Sequence, residues 1–151
     1  MAIRGLLGGE IREYSEGQVE TIDGKRCFFW HARLYTPYFK PSVLVLTKEI
    51  PKHGMFIVKG EFRFSRRRLI LVAEEFNWGG RLSFAYCTAR VEKVIVRGEV
   101  YRCISEGIPF LFRQVEGMPL SEGEIVCLEG TLRGERTEKG WSLEVEGKQI
   151  I

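Results

Sequence analysis

Apolar and polar residues alternate along most of this chain, which predicts a protein built from short strands. Lys59 to Phe64 alternates charged with aromatic residues, the period-2 pattern of a strand with one buried face. Leu69 to Val72 is instead a continuous apolar run, which indicates a strand buried on both faces. The three arginines at positions 66–68 separate these segments, so we expect them at the turn of a hairpin.

The same patterns predict ten strands, five in each half of the chain. In the first half we place them at residues 10–22, 25–35, 42–48, 55–64 and 68–76. In the second half we place them at residues 82–96, 99–104, 108–115, 124–133 and 140–147. The segment 82–96 also admits a helical interpretation, but its β-branched and aromatic residues favour a strand.

The two halves resemble each other in sequence, which predicts a duplicated domain. Three positions of the first half have counterparts about 70 residues later; these pairs are Pro51 and Pro119, Gly54 and Gly123, and Gly60 and Gly130. A period of this length is too long for a solenoid repeat and fits two copies of a small domain. We predict a first domain at residues 1–78 and a second at residues 79–151.

Two glycine-containing segments carry a resemblance to a known superfamily. Ile50 to Gly60 has the pattern I-P-x-x-G-x-x-x-x-x-G, and Gly123 to Leu132 reads G-E-I-V-C-L-E-G-T-L. Both resemble the entry to the fourth strand of OB-fold domains. The resemblance implies an all-β protein of two tandem five-stranded OB-fold-like Greek-key barrels. Within this superfamily, the chain resembles single-strand-binding proteins of the replication protein A and telomere-capping type.

Charge and aromatic residues concentrate in the first predicted domain. Residues 1–78 carry 13 Lys and Arg against 9 Asp and Glu, whereas residues 79–151 carry 10 against 11. The first domain also holds 12 of the 18 aromatic residues. Basic residues interleaved with aromatic ones are typical of surfaces that bind single-stranded nucleic acid, because cations meet phosphates while rings stack on bases.

The OB-fold resemblance implies a binding face on strands 2 and 3, flanked by the loops between strands 1 and 2 and between strands 4 and 5. Alternate residues of strand 25–35 point to opposite faces. We assign Phe28, Trp30, Ala32 and Leu34 to the core and the residues of the opposite face to the ligand-binding surface. The predicted nucleic-acid-binding residues are Phe29, His31, Arg33, Tyr35, Tyr38, Phe39, Lys59, Arg63, Arg66, Arg67 and Arg68.

Simpler interpretations of these residues stay open. A small barrel needs many large apolar side chains, so each aromatic residue could belong to the core. The arginine run could be a solvated turn or a charge cluster that protects a strand edge.

Nothing in the sequence indicates catalysis. There is no phosphate-binding glycine motif and no metal-binding histidine pair, so we expect no enzymatic activity, cofactor or metal. The cysteines lack zinc-site spacing and are interpreted as small buried hydrophobic residues; they are Cys27, Cys87, Cys103 and Cys127. One Asp and one Asn beside nineteen Glu are typical of a thermophile.

These observations lead to one main hypothesis and two alternatives. We expect a soluble, cytoplasmic protein that binds single-stranded nucleic acid through a basic and aromatic groove on the first domain; the sequence leaves DNA and RNA both open, and we favour DNA. The main alternative is a non-enzymatic OB-fold adaptor subunit of a larger protein or nucleoprotein complex. Its partner would contact the second domain, with Gly107 to Phe112 as a candidate surface. A translation- or tRNA-associated OB-fold protein is the third possibility.

Overall fold

Strands make up the regular secondary structure of the computed structural model, which describes residues 2–65 and 67–150. The predicted all-β class is confirmed, and no helix in this part of the chain could cross a membrane. The strands are β1 (Ile3–Ile22), β2 (Lys25–Tyr35), β3 (Phe39–Lys40), β4 (Val43–Thr47), β5 (Gly54–Ser65), β6 (Arg68–Trp78), β7 (Leu82–Val96), β8 (Val100–Ser105), β9 (Ile108–Gln114), β10 (Ile125–Thr137) and β11 (Gly140–Ile150).

The strands form two closed rings of the same order. In the first ring, the pairing runs β1–β2–β4–β6–β5 and returns to β1, with β4 and β6 parallel. In the second ring, it runs β7–β8–β9–β11–β10 and returns to β7, with β9 and β11 parallel. Each ring therefore has five strands in the Greek-key order of an OB-fold barrel.

The two rings are joined through their first strands. β1 pairs with β7 over residues 4–8 while it also pairs with β5. This strand begins at Ile3 rather than at the predicted residue 10, because glycines in its first half weaken the strand signal. Gly5 is required by the junction: a Cβ atom at this position would lie 1.9 Å from the carbonyl oxygen of Phe84 in β7.

One hydrophobic core runs through both rings, and Phe39 of β3 lies where they meet. β3 pairs with β10, and the Phe39 ring packs 6.1 Å from Phe62 and 6.2 Å from Trp141, measured between centroids. Phe39 is 1% exposed, so its predicted role in nucleic-acid binding is wrong. The division into domains at residues 78 and 79 stays a prediction, because sheet and core are continuous across it.

Two predictions about burial are also wrong. The apolar segment Gly107 to Phe112 lies largely in β9, whose three alternate side chains are buried, so they are not available to a partner; they are Ile108, Phe110 and Phe112. Cys127 is exposed and Cys27 is half-buried, whereas Cys87 and Cys103 are buried as predicted. Burial raises the pKa of Cys87 to about 11 and that of Cys103 to about 12.

Candidate nucleic-acid interface

A long hairpin formed by β1 and β2 curls over the outer face of the first ring. Register shifts against β2 place two irregularities in β1, at residues 11–13 and 15–18, and such bulges bend a strand. The hairpin turn thereby reaches across to β5, where Arg63 donates two hydrogen bonds to the carboxylate of Asp23, at 2.7 and 2.8 Å. The predicted binding face is therefore partly covered by a segment of the chain itself.

A second apolar cluster, separate from the main core, lies on this outer face of the ring. It consists of Phe29, Leu44, Leu46 and Ile70. Phe29 points away from the barrel interior, as the alternation predicts, yet only 4% of it is exposed. It offers no open ring face to a base, contrary to the prediction. Phe28, predicted in the core, is instead exposed and packs edge-to-face with Trp30.

Two of the predicted arginines hold the hairpin in place. Arg63 bonds to Glu61 as well as to Asp23, and Arg68 donates to both oxygens of Glu20, at 3.2 and 3.3 Å. Glu20 is buried in the hairpin, so its charge requires a partner. At the β5–β6 turn, Arg67 is exposed in the left-handed conformation, with φ of 66°. Arg66 lies outside the described residues.

His31 lies beside the same ion pair and is held in its neutral form. Its Nε2 atom is 3.7 Å from Glu20 and is buried without a hydrogen bond. Burial lowers the pKa of His31, as do the guanidinium groups of Arg68 and Arg33, against the raising effect of Glu20. At neutral pH, His31 therefore contributes polarity but no positive charge to this face.

Three predicted residues come together in one groove, which we call the Arg33 groove. Its volume is about 310 Å³. Its walls include Glu13, Tyr14, His31, Arg33, Leu44 and Arg68. Arg33 and Tyr14 are exposed, and the Tyr14 ring centroid lies 4.8 Å from that of His53. The groove thus combines an exposed guanidinium group with an exposed aromatic ring.

The other predicted residues lie outside this groove. Tyr35 donates a hydrogen bond to Glu13, and the Arg12 guanidinium group covers its ring at 4.6 Å. Tyr38 lies at the junction of the rings, where Arg133 is 5.4 Å above it. Lys59 is exposed in the middle of β5, opposite Glu75 of β6.

A second groove, the Lys48 groove, lies at the opposite ends of β4 and β6. Its volume is about 490 Å³. Its walls include Lys25, Phe29, Lys48, Glu49, Val72 and Phe76. Glu49 and Phe76 also border a smaller depression beside Trp78. Trp78 is not among the predicted binding residues, because it precedes the Gly-Gly segment at the boundary between the two predicted domains.

Over residues 2–65 and 67–150, no group of three or more His, Cys, Asp or Glu side chains is placed to hold a metal ion. The surface presents cations, aromatic rings and apolar walls. These groups suit a nucleic-acid strand, because cations pair with phosphates and rings stack on bases.

Comparison with known proteins shows the fold. No protein-family model and no curated protein matches this chain. Among solved structures, the wild-type single-stranded DNA binding protein from Thermus aquaticus matches 99% of this chain and 93% of its own, with a TM-score of 0.59 and 12% identity. A deletion mutant of that protein matches 99% of this chain and 94% of its own, with a TM-score of 0.57 and 12% identity. The chain therefore shares its overall fold with that protein, and its strand order is the OB-fold order that the sequence resemblance predicted.

Proposed function

We propose that this protein binds single-stranded nucleic acid, DNA in preference to RNA, through the Arg33 groove of the first ring. The observation that carries the proposal is the convergence of the exposed Arg33 guanidinium group with the exposed ring of Tyr14 in one groove, whose walls also include His31 and Arg68. The fold supports it, since the structures it resembles are those of a single-stranded DNA binding protein. The role is binding without catalysis.

The exposed cations of this face take the phosphates in this proposal. Arg33 and Arg67 are exposed, and Arg66 is their predicted neighbour at the turn. Tyr14 supplies the stacking ring in place of Phe29, which is buried. Phosphate neutralisation and base stacking together are the usual basis of single-strand binding without sequence preference.

Arg63 and Arg68 have a different role from the one predicted for them. Their guanidinium groups already bond to Asp23, Glu61 and Glu20, so a phosphate must compete with these carboxylates. Their main contribution is to hold the hairpin that forms one wall of the groove.

Fluorescence anisotropy of a labelled dT oligomer of about 16 nucleotides tests the proposal, since one OB fold covers at most about that length. If about four phosphates are neutralised, log K against log salt has a slope of roughly −3. Replacing Arg33 or Arg67 with Ala should reduce this slope by about 0.7 each. The same titration with a matching rU oligomer decides between DNA and RNA as the ligand.

Arg102→Ala is the matched control, because Arg102 is an exposed arginine on β8 of the second ring. It should leave both affinity and slope unchanged. Equal slopes for Arg33→Ala, Arg67→Ala and Arg102→Ala would reject the Arg33 groove as the binding site.

A non-enzymatic adaptor subunit is the second candidate function. Large apolar side chains are exposed on the second ring, with Met118 83% and Ile125 71% exposed. Such side chains favour a protein partner there. Absence of binding to any single-stranded or duplex oligonucleotide at low salt would favour this function over the first.

A further inference from the structure

We propose that Trp78 forms a second stacking site for a nucleobase, at the opposite end of β6 from the Arg33 groove. The inference rests on the proposed function, because it adds a subsite to the path of the same nucleic-acid strand. Arg68 and Trp78 are the first and last residues of β6. At the usual rise per residue they are roughly 30 Å apart, so the two sites engage different nucleotides.

The Trp78 ring is braced on one face and open on the other. Its cross-strand partner is Phe56, and the two rings stack with centroids 4.3 Å apart and planes 27° apart. Phe56 is itself buried in the main core and meets Phe76 edge-on. Nevertheless, 69% of Trp78 is exposed. An indole ring supported from below, with a free upper face, is the arrangement that base stacking requires.

The backbone around Trp78 is arranged to leave room for this ring. The Gly79 N–H donates a hydrogen bond to the carbonyl of Met55, at 3.3 Å, which continues the β5–β6 pairing past Trp78. Gly54 has φ of 135°, and a Cβ atom there would lie 2.9 Å from Cζ3 of the indole. The ring position therefore depends on glycine at residue 54 and is set before any ligand arrives.

The depression beside the ring has the chemistry of a nucleotide subsite. Its volume is about 190 Å³, and Ile50, Pro51 and Phe76 supply apolar walls while Lys52 is an exposed cation. Apolar walls and a ring accommodate the base, and the ammonium group is available to its phosphate.

The depression also lies on a path that already carries positive charge. It shares Glu49 and Phe76 with the Lys48 groove, where Lys25 and Lys48 are exposed. Glu74, an acidic residue of that groove, already pairs with Arg4. Phosphates that follow the groove therefore meet two lysines before the base reaches Trp78.

Intrinsic fluorescence and affinity together test this site. The chain has three tryptophans, Trp30, Trp78 and Trp141, so a stacked base should quench the exposed one most. We expect dT oligomers of about 16 nucleotides to quench the wild-type protein. Trp78→Phe should lose most of the quenching but keep the affinity within about threefold. Trp78→Ala should weaken binding about tenfold, the typical loss for one stacked base.

Trp30→Phe is the matched control and should keep both quenching and affinity. Circular dichroism checks that every variant retains its strand content. If the wild-type protein binds while Trp78→Ala binds equally well and Trp78→Phe is still quenched, the Trp78 site is rejected and the proposed function stands. If the wild-type protein binds no oligomer, both the function and the site are rejected.

Discussion

The two rings share one strand order but differ in what covers their outer faces. In the first ring, the β1–β2 hairpin folds back over β4 and β6, whose outward side chains Leu44, Leu46 and Ile70 are buried. In the second ring, the corresponding strands β9 and β11 carry charge outward, and Arg113 donates a hydrogen bond to Glu144. One topology thus supports both an apolar covered face and a polar open face.

The two hairpins explain this difference. Both pairings contain two register shifts, but the β1–β2 pairing extends from Glu10 to Ile22, whereas the β7–β8 pairing extends only from Arg90 to Val96. The shorter hairpin ends in exposed Ile95 and Val96. Its greater length therefore lets the first hairpin turn back onto its own ring, where buried apolar side chains and ion pairs hold it. The grooves of the proposed binding surface lie along this folded hairpin.

Truncation of a matched pair of leucines should show the largest difference between the rings. Leu46 is fully buried under the hairpin, and Leu46→Ala should lower the free energy of unfolding by about 3 kcal/mol. Leu111 faces outward from β9 and is half-buried, so Leu111→Ala should cost about 1 kcal/mol. Urea unfolding followed by circular dichroism measures both. Equal losses would show that the hairpin does not form a second core.

Neutralising one carboxylate in each ring should give the next largest difference. Glu20 is buried and bonds to Arg68, so Glu20→Gln should cost about 1–2 kcal/mol of unfolding free energy. Glu144 pairs with Arg113 at a more exposed site, and Glu144→Gln should cost less than about 1 kcal/mol. Thermal unfolding of the two variants under one buffer condition makes the comparison. A larger loss of stability for Glu144→Gln than for Glu20→Gln would show that the Arg113–Glu144 pair, and not the Arg68–Glu20 pair, contributes more to folding.

The ion pair at the hairpin tip should make a smaller, salt-dependent contribution to the free energy of unfolding. Asp23→Asn removes the charge that pairs with Arg63, while Asn tolerates the left-handed conformation at φ of 52°. We expect a loss of about 0.5 kcal/mol in low salt that disappears in high salt. Glu92→Gln, which disrupts the exposed pair with Arg90, is the control and should have almost no effect. If Asp23→Asn loses the same stability at low and high salt, the Asp23–Arg63 ion pair does not hold the hairpin tip through its charge.

The smallest expected effect is a pH dependence confined to the first ring. The pKa of His31 is lowered in the folded state, chiefly by burial, below its unfolded value of about 6.5. As pH falls through 6.5, the unfolded chain therefore takes up a proton that the folded chain does not. Stability should decrease from pH 7 downward and level off below the folded pKa. Chemical unfolding across this range measures the slope.

His31→Gln should flatten that pH dependence, whereas His53→Gln, at an exposed position, should preserve it. Identical profiles for the wild-type protein and His31→Gln would show that His31 does not couple to folding.

Periodicity predicted which way the side chains point but not whether they are covered. Leu69 to Val72 reads as a strand buried on both faces, and the structure confirms this: Leu69 and Leu71 face the main core while Ile70 joins the second cluster. The alternation on β2 also places Phe29 outward correctly. Its burial was not predictable in the same way, because the segments that cover it come from other strands.

The arginine run shows the same limit. Its position at a hairpin turn follows from the flanking patterns, and the structure places the turn between β5 and β6. The partners of Arg63 and Arg68 are residues 40 and 48 positions away, on a hairpin whose bend depends on two bulges. No local pattern connects residues at that separation.

By itself, the sequence determined ten of the eleven strands seen in the described residues, most of their turns and the concentration of cations and aromatic rings in the first half, because strand periodicity and turn chemistry depend on near neighbours. Only the tertiary structure decided which of those rings are open to a ligand and which arginines are already bonded. Burial and ion pairing depend on segments that meet only when the rings close, and this is why Phe29 and Phe39 are inaccessible while Tyr14 and Trp78 are exposed.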